Sequence, residues 1–455
     1  MKSYDVVVIG AGDVGVGIVF KAVAAKLKVA LIEKGSVGGT CVNVGCVPSK
    51  TLIYTADRIV DIRDSSRFGV HSEITKIDFE SIMRRMRDAV ESGRKGIGEA
   101  VKDTKNLDFY NDEGHFIDDH TLKVGNKKIT GQKIFIATGA RVFIPPVRGL
   151  DKAGYLTNES VLELERRPRS MVIIGGGYIA VEYGHFFSAL GSKVTIVERG
   201  GRLVSAEEPE ISDLLKKEMA KRMEIFTDTE VLEVIRHSEG CDAVVRDHGT
   251  GEERKISAEK IMVATGRISN ADLVHVENAG VKTDKRGFII VNDYLETNKK
   301  HIWALGDAVG RQMFTHAGDK EAEVAWHNAV HKKRTKMDFG AVPHAVFTHP
   351  QIASVGLTEE QAKQKYKVLV GRAKYSDTVK GTAMMEEEGF AKAIVDKKTR
   401  RILGFHIIGP EASTLIQEVV NAVVNKSDMR YITDSMHIFP ALSDVVTETL
   451  NNIES

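Results

Sequence analysis

Cysteine is scarce, with three residues in a chain of 455. An odd, small number excludes a disulfide-stapled scaffold and points to a reducing compartment, so a cytoplasmic location is expected. Charge of one sign is missing too. Lys and Arg total 64 against 63 Asp and Glu, a net charge of +1, which argues against a nucleic-acid partner and against a polyanionic tail. No apolar run approaches the ~18 residues that span a bilayer. Met1–Asp5 leads into only a short apolar stretch, so neither a membrane association nor a secretory leader is expected. What remains is an ordinary globular composition, 42% hydrophobic and 28% charged, long enough for about three domains.

Glycine, in contrast, is plentiful, and two of its clusters repeat each other. The strand-like Val6–Ile9 runs into Gly10-Ala11-Gly12-Asp13-Val14-Gly15 and a small-residue helix pattern; a second apolar strand follows and ends in Glu33. Met171–Ile174 runs into Gly175-Gly176-Gly177-Tyr178-Ile179-Ala180 and another helix, and its second strand ends in Glu198 at the same spacing. Ala137-Thr138-Gly139 and Ala264-Thr265-Gly266 echo each other in the same way, each closing a strand too apolar to alternate. Such strands fit parallel sheets covered on both faces. Beyond about 341, strands near 342–347, 367–373, 390–395 and 402–408, with helices from Thr358 and Ala412, predict an α+β domain.

A glycine fingerprint between strand and helix, with an acid at this distance, is a dinucleotide site. Gly10 permits the tight turn, Gly12 admits a pyrophosphate to the helix N-terminus, and Gly15 allows close helix–strand packing. Glu33 can bind an adenosine ribose. In the second unit Gly175, Gly177 and Ala180 take the three positions. Glu198 there favours NAD, while Arg199 and Arg202 nearby keep NADP open. Two nucleotide sites in one chain suggest an internal electron relay with a flavin between them.

The stretch Gly38-Gly39-Thr40-Cys41-Val42-Asn43-Val44-Gly45-Cys46-Val47-Pro48-Ser49-Lys50 carries the remaining chemistry. Two cysteines at the mouth of a helix can come within disulfide reach if its first turn is irregular, and the helix N-terminus lowers a thiol pKa. With these residues the chain resembles the flavin-dependent pyridine nucleotide–disulfide oxidoreductases, the group of dihydrolipoyl dehydrogenase, glutathione reductase and mercuric reductase. Further matches are Ala264-Thr265-Gly266-Arg267, Ala304-Leu305-Gly306-Asp307 and Phe347-Thr348-His349-Pro350, so the resemblance spans essentially the whole chain.

The resemblance implies a relay from NAD(P)H through FAD to a Cys41–Cys46 redox disulfide, with Cys46 nearer the flavin and Cys41 exchanging with substrate. It places Gly39, Thr40, Thr138, Gly139, Gly266, Arg267 and Gly306 among the cofactor contacts and Asp307 on the ribityl chain. Lys50 and Glu182 pair near the flavin's reactive edge, and Tyr178 covers the flavin where nicotinamide docks. The fold implied is α/β: two doubly wound dinucleotide-binding domains, glutathione reductase-like, and a C-terminal α+β dimerisation domain. The boundaries expected are 1–149 with 268–340 for FAD, 150–267 for NAD(P) and 341–455 for a homodimer interface.

Near the C-terminus the pattern departs. Disulfide-exchanging members carry His-x-His-Pro and a following Glu; here the residues are His437-Ile438-Phe439-Pro440 and Asp444. Phe439 cannot carry a proton, and a missing general base costs ~10²–10⁴-fold in rate. His437, with Asp444 as its orienter, is the candidate to replace it; otherwise His437 is a packing or surface histidine. The C-terminal cysteine pair of mercuric reductase is also missing. No resident metal is expected, since His327 and His331 read as a basic helix end. The leading expectation is dihydrolipoyl dehydrogenase-like turnover of a small dithiol or lipoyl-bearing protein. The alternative is an NAD(P)H-dependent reductase of a metal ion or quinone.

Overall fold

A computed structural model describes residues 1–453. Its contacts divide the chain into two compact units: Met1–Thr51 with Glu80–Phe143 and Gly266–Asp338, and Leu52–Phe79 with Ile144–Thr265 and the chain from Phe339 on.

In the first unit the apolar run at the N-terminus forms the strand Lys2–Ile9, flanked in parallel by Val29–Ile32 and by Lys127–Ile136. Leu107–Tyr110 extends one side in parallel, Ile302–Ala304 pairs in parallel with Lys127–Ile136, and Thr121–Val124 and Gly114–Phe116 add antiparallel strands. Val6 to Val8, Val29 to Leu31 and Ile134 to Ile136 have no exposed surface, as strands covered on both faces require. The helix Asp13–Ala24 starts directly after the first glycine turn, and a long charged helix runs Phe79–Asp103.

The second unit holds a four-stranded parallel sheet ordered Glu224–Phe226, Lys193–Val197, Ser170–Ile174, Lys260–Val263. A three-stranded antiparallel sheet over Thr229–His237, Gly240–Asp247 and Glu253–Ala258 accompanies it. Its C-terminal part is a five-stranded antiparallel sheet, His344–Val346, Gln351–Gly356, Ile402–Gly409, Phe390–Asp396 and Val368–Lys374 in spatial order. The helices Ala412–Val424 and Asp444–Asn451 pack Ile416, Val419, Val445 and Leu450 onto it. This is the expected fold class: parallel α/β sheets followed by an α+β domain. Thr358 caps the helix Glu359–Lys363 with a full capping box, the hydroxyl accepting from Gln361 N–H while the Gln361 side chain accepts from Thr358 N–H, worth about 1 kcal/mol.

Candidate active site

The first fingerprint folds because two of its glycines leave no room for anything larger. Gly10 has φ +105°, and a Cβ there would strike the Ala137 carbonyl; one at Gly15 would strike the Gly10 carbonyl. Gly12 is the N-cap of Asp13–Ala24 and faces Gly39, so two bare backbones line the approach to the helix N-terminus. Glu33, at the end of its strand, accepts Ala11 N–H at 2.8 Å and Gly35 N–H at 2.7 Å. Each of its oxygens keeps a lone pair for a ribose hydroxyl.

Around this cradle several buried polar atoms lack a partner. Thr138 Oγ1, Arg267 Nε and Glu321 Oε1 are among the described buried atoms without a hydrogen bond. Arg267 donates to the Ala140 carbonyl, and its Nε lies 3.5 Å from Asp307 Oδ2. Burial pushes the Asp307 carboxyl up despite that guanidinium. Glu321, with no exposed surface, accepts Gly306 N–H at 2.5 Å, and burial raises its carboxyl to about 7. Native interiors rarely leave such groups unsatisfied. Unpaired donors and acceptors beside a helix N-terminus and a bare glycine cradle fit a large polar cofactor of the FAD kind.

The thiols sit at the next turn of chain. Cys41 lies on the short helix Gly39–Val44, and Cys46 opens the helix Cys46–Asp64, with Pro48 in its first turn. Both are free thiols, Cys41 half-buried and Cys46 exposed. The Cys41 thiol hydrogen-bonds to Cys46, and this bond, the Thr315 hydroxyl and the Lys50 ammonium hold the Cys46 thiol down to about 6 against partial desolvation by the chain around it. Thr315 Oγ1 lies 3.6 Å from Cys46 Sγ. Cys41 is pushed up by the same bond and by burial. At neutral pH the pair is therefore one thiolate and one thiol.

In the second unit the strand Ser170–Ile174 ends at Gly175 (φ +112°), and Gly177 caps the helix Tyr178–Ala189. Ala180 is fully buried. Glu198 accepts Gly200 N–H at 2.6 Å and packs against Gly176. Arg199 and Arg202 are both engaged, by Glu230 at 4.0 Å and Asp213 at 3.1 Å. Glu182, on the inner face of the helix, accepts Phe347 N–H at 3.0 Å.

The C-terminal candidates His437 and Asp444 each take partners of their own. His437 Nδ1 lies 3.0 Å from the Ser435 carbonyl and Nε2 3.0 Å from Glu418 Oε2, so both ring nitrogens are engaged. Asp444 accepts Ala441 N–H at 3.2 Å at the start of its helix rather than meeting an imidazole. Met436, Ile438 and Phe439 are 100%, 82% and 72% exposed. One described group of potential metal ligands occurs, Asp119, His120 and His301. Its imidazoles stack 3.9 Å apart at 6°, and Lys299 Nζ lies 3.2 Å from Asp119. Parallel rings cannot aim both lone pairs at one ion, and an ammonium already neutralises the carboxylate. His327 likewise spends Nε2 on the Lys333 carbonyl at 2.7 Å.

Comparison with known proteins identifies the family. Residues 4–331 match the family profile described as pyridine nucleotide-disulphide oxidoreductase, and 342–450 that of its dimerisation domain. The chain belongs to the pyridine nucleotide-disulphide oxidoreductase family. It is 34% identical to a mercuric reductase of Bacillus cereus over 92% of this chain and 67% of the relative. It is also 34% identical to a dihydrolipoyl dehydrogenase of Synechocystis sp. over 98% of each, and 33% to a mycothione reductase of Mycobacterium tuberculosis over 99% of each. Among solved structures, the HOCl-induced flavoprotein disulfide reductase RclA from Escherichia coli, in its Cu(II) complex, superposes with a TM-score of 0.88 at 29% identity over 99% of both chains. The family is that of FAD- and NAD(P)H-using flavoenzymes, and its dimerisation domain fits a homodimer. Among the described residues no helix is long and apolar enough to cross a membrane.

Sequence reasoning missed Thr315, Glu207 and His344. Thr315 belongs to no local motif, and it meets Cys46 across 269 residues of chain. Glu207 and His344 likewise join over 137 residues.

Proposed function

We propose that this flavoenzyme is an NADH-dependent reductase whose Cys41–Cys46 pair serves a small thiophilic acceptor, above all a soft metal ion. The observation that carries this reading is the Cys46 thiolate beside the Cys41 thiol, in a chain whose C-terminal base position is Phe439 and whose His437 has both nitrogens engaged. A disulfide acceptor needs a proton donor and acceptor for each exchange. A soft cation needs none. Cys46, exposed and already a thiolate, takes it first, in place of the Cys41 expected from the resemblance, and Cys41 gives its proton to solvent as it becomes the second ligand. The two electrons that reduce the bound ion come from NADH, and the thiols are freed as the reduced metal leaves.

Gly10, Gly12, Gly15 and Glu33 hold the adenosine and pyrophosphate of FAD, with Gly39, Thr40, Thr138, Gly139, Gly266, Arg267, Gly306 and Asp307 completing its contacts. FAD supplies two-electron transfer between the dinucleotide and the thiol pair. Lys50 stabilises negative charge at the reducing end. Gly175, Gly177 and Ala180 receive the NADH pyrophosphate, and Tyr178 covers the place where nicotinamide docks. Glu198 accepts from the ribose 2′-hydroxyl. Arg199 and Arg202 meet Glu230 and Asp213 only in exposed surface pairs, so the preference for NADH rests on Glu198. The scarcity of cysteine suits a cytoplasmic setting.

Mercuric reductases among the relatives and the copper-bound reductase among the solved structures support this choice. A second reading, dihydrolipoyl dehydrogenase, is favoured by the end-to-end similarity to the Synechocystis enzyme. NADH oxidation by the FAD-loaded protein, with Hg(II), Cu(II) and lipoamide in parallel, separates the two. Turnover with a metal ion in excess of lipoamide supports the first, and the reverse supports the second.

A further inference from the structure

Glu207 is a carboxylate with no exposed surface and three side-chain partners. Tyr178 donates its hydroxyl to Oε1 at 3.1 Å, His344 Nε2 lies 2.7 Å from the same oxygen, and Ser354 donates to Oε2 at 2.6 Å. His344 also stacks on the Tyr178 ring, centroids 5.8 Å apart and planes 24° from parallel. The ring is thus held at its tip by a buried carboxylate and on one face by an imidazole. It projects from the first residue of the helix Tyr178–Ala189, immediately after the Gly177 cap where a dinucleotide pyrophosphate binds.

We propose that Glu207 and His344 are positioning residues that latch Tyr178 in place, so that nicotinamide binding must first break the latch. The inference rests on the reading above that Tyr178 covers the nicotinamide position. Two rings cannot share one place, so the ring leaves when nicotinamide arrives. A ring tied to a buried carboxylate leaves less often than a free one. Apparent affinity falls by the fraction of molecules whose site is open, and that fraction is set by the hydroxyl bond and the stack together. Glu207 suits this task because its other partners stay behind when Tyr178 moves. His344 and Ser354 keep the carboxylate satisfied, so opening strands no buried charge.

The test measures NADH dissociation constants on the FAD-loaded protein, with ADP-ribose, which lacks the nicotinamide ring, as the comparison probe. Tyr178→Ala should tighten NADH by tenfold or more. Tyr178→Phe, which removes only the hydroxyl, and His344→Ala should each tighten it about fivefold, and His344→Gln, which restores a donor to Glu207, should return part of the way to wild type. ADP-ribose should stay within twofold in all four. If Tyr178→Ala leaves NADH unchanged, Tyr178 does not cover the nicotinamide position, and both that reading and the latch fall. If Tyr178→Ala tightens NADH while Tyr178→Phe does not, the cover stands and the latch is overturned. Because Tyr178→Phe preserves the ring and its packing, this outcome is readable even where His344→Ala fails to fold.

Discussion

His437 Nε2 lies 3.0 Å from Glu418 Oε2, and its Nδ1 faces the Ser435 carbonyl at the same distance. An imidazole engaged at both nitrogens ties the segment before Pro440 to the helix Ala412–Val424. Replacing His437 with Ala should cost about 1 kcal/mol of stability and leave NADH-driven metal turnover within twofold. Phe439→His should instead raise lipoamide turnover at least tenfold, since it supplies the absent acid–base group. Steady-state assays of both variants beside their unfolding midpoints check this; loss of metal turnover in His437→Ala would refute it.

The Cys46 thiolate owes its low pKa first to the Cys41 thiol. Alkylation of the reduced protein by iodoacetamide should follow a titration with a midpoint near 6. In Cys41→Ala the midpoint should climb by a unit or more toward the ~8.5 of a free thiol. An unchanged midpoint would assign the depression to the helix N-terminus and Lys50 instead.

Selection of NADH should rest on Glu198, and Glu198→Ala removes the carboxylate facing the ribose. The NADH:NADPH ratio of kcat/KM should fall at least tenfold, about 1.4 kcal/mol of discrimination. A ratio that stays put would show that Glu198 does not read the 2′ position.

Glu321 gives stability a pH dependence. Its carboxyl is raised to about 7 by burial, against ~4.3 in an unfolded chain. Between those values the folded state holds a proton that the unfolded state has released, so stability falls as pH rises through the window. Glu321→Gln keeps an acceptor for Gly306 N–H and removes the titration. It should gain on wild type as pH rises, by roughly 3 kcal/mol above pH 7.5. Denaturant unfolding at pH 5 and pH 8 measures the difference, and equal pH dependence in both proteins would contradict it.

Much of this was legible in the sequence, where the governing interaction is local. The strands at Val6 and Val172 are apolar runs, and the turns at Gly10 and Gly175 are fixed by steric conflict with carbonyls. The cysteine helix announces itself by its glycines and Pro48. The antiparallel sheet over Thr229–Ala258 carries no motif, and its strands alternate too irregularly to stand out, while Gln351–Gly356 lies just past the Phe347–Pro350 motif with no separate turn signal to open it. The Thr315 contact with Cys46 and the Glu207–His344 pair left no trace, because each joins residues distant in sequence. The engagement of His437 by Glu418 is of the same kind.

The most direct measurement is the ratio of kcat/KM for Hg(II) to that for lipoamide, with NADH as reductant and the FAD-loaded wild-type protein. The account predicts a ratio well above one, abolished in Cys46→Ser because the capturing thiolate is gone. A ratio below one, with brisk lipoamide turnover, would contradict it and make this chain a dihydrolipoyl dehydrogenase that moves protons without a histidine at position 439.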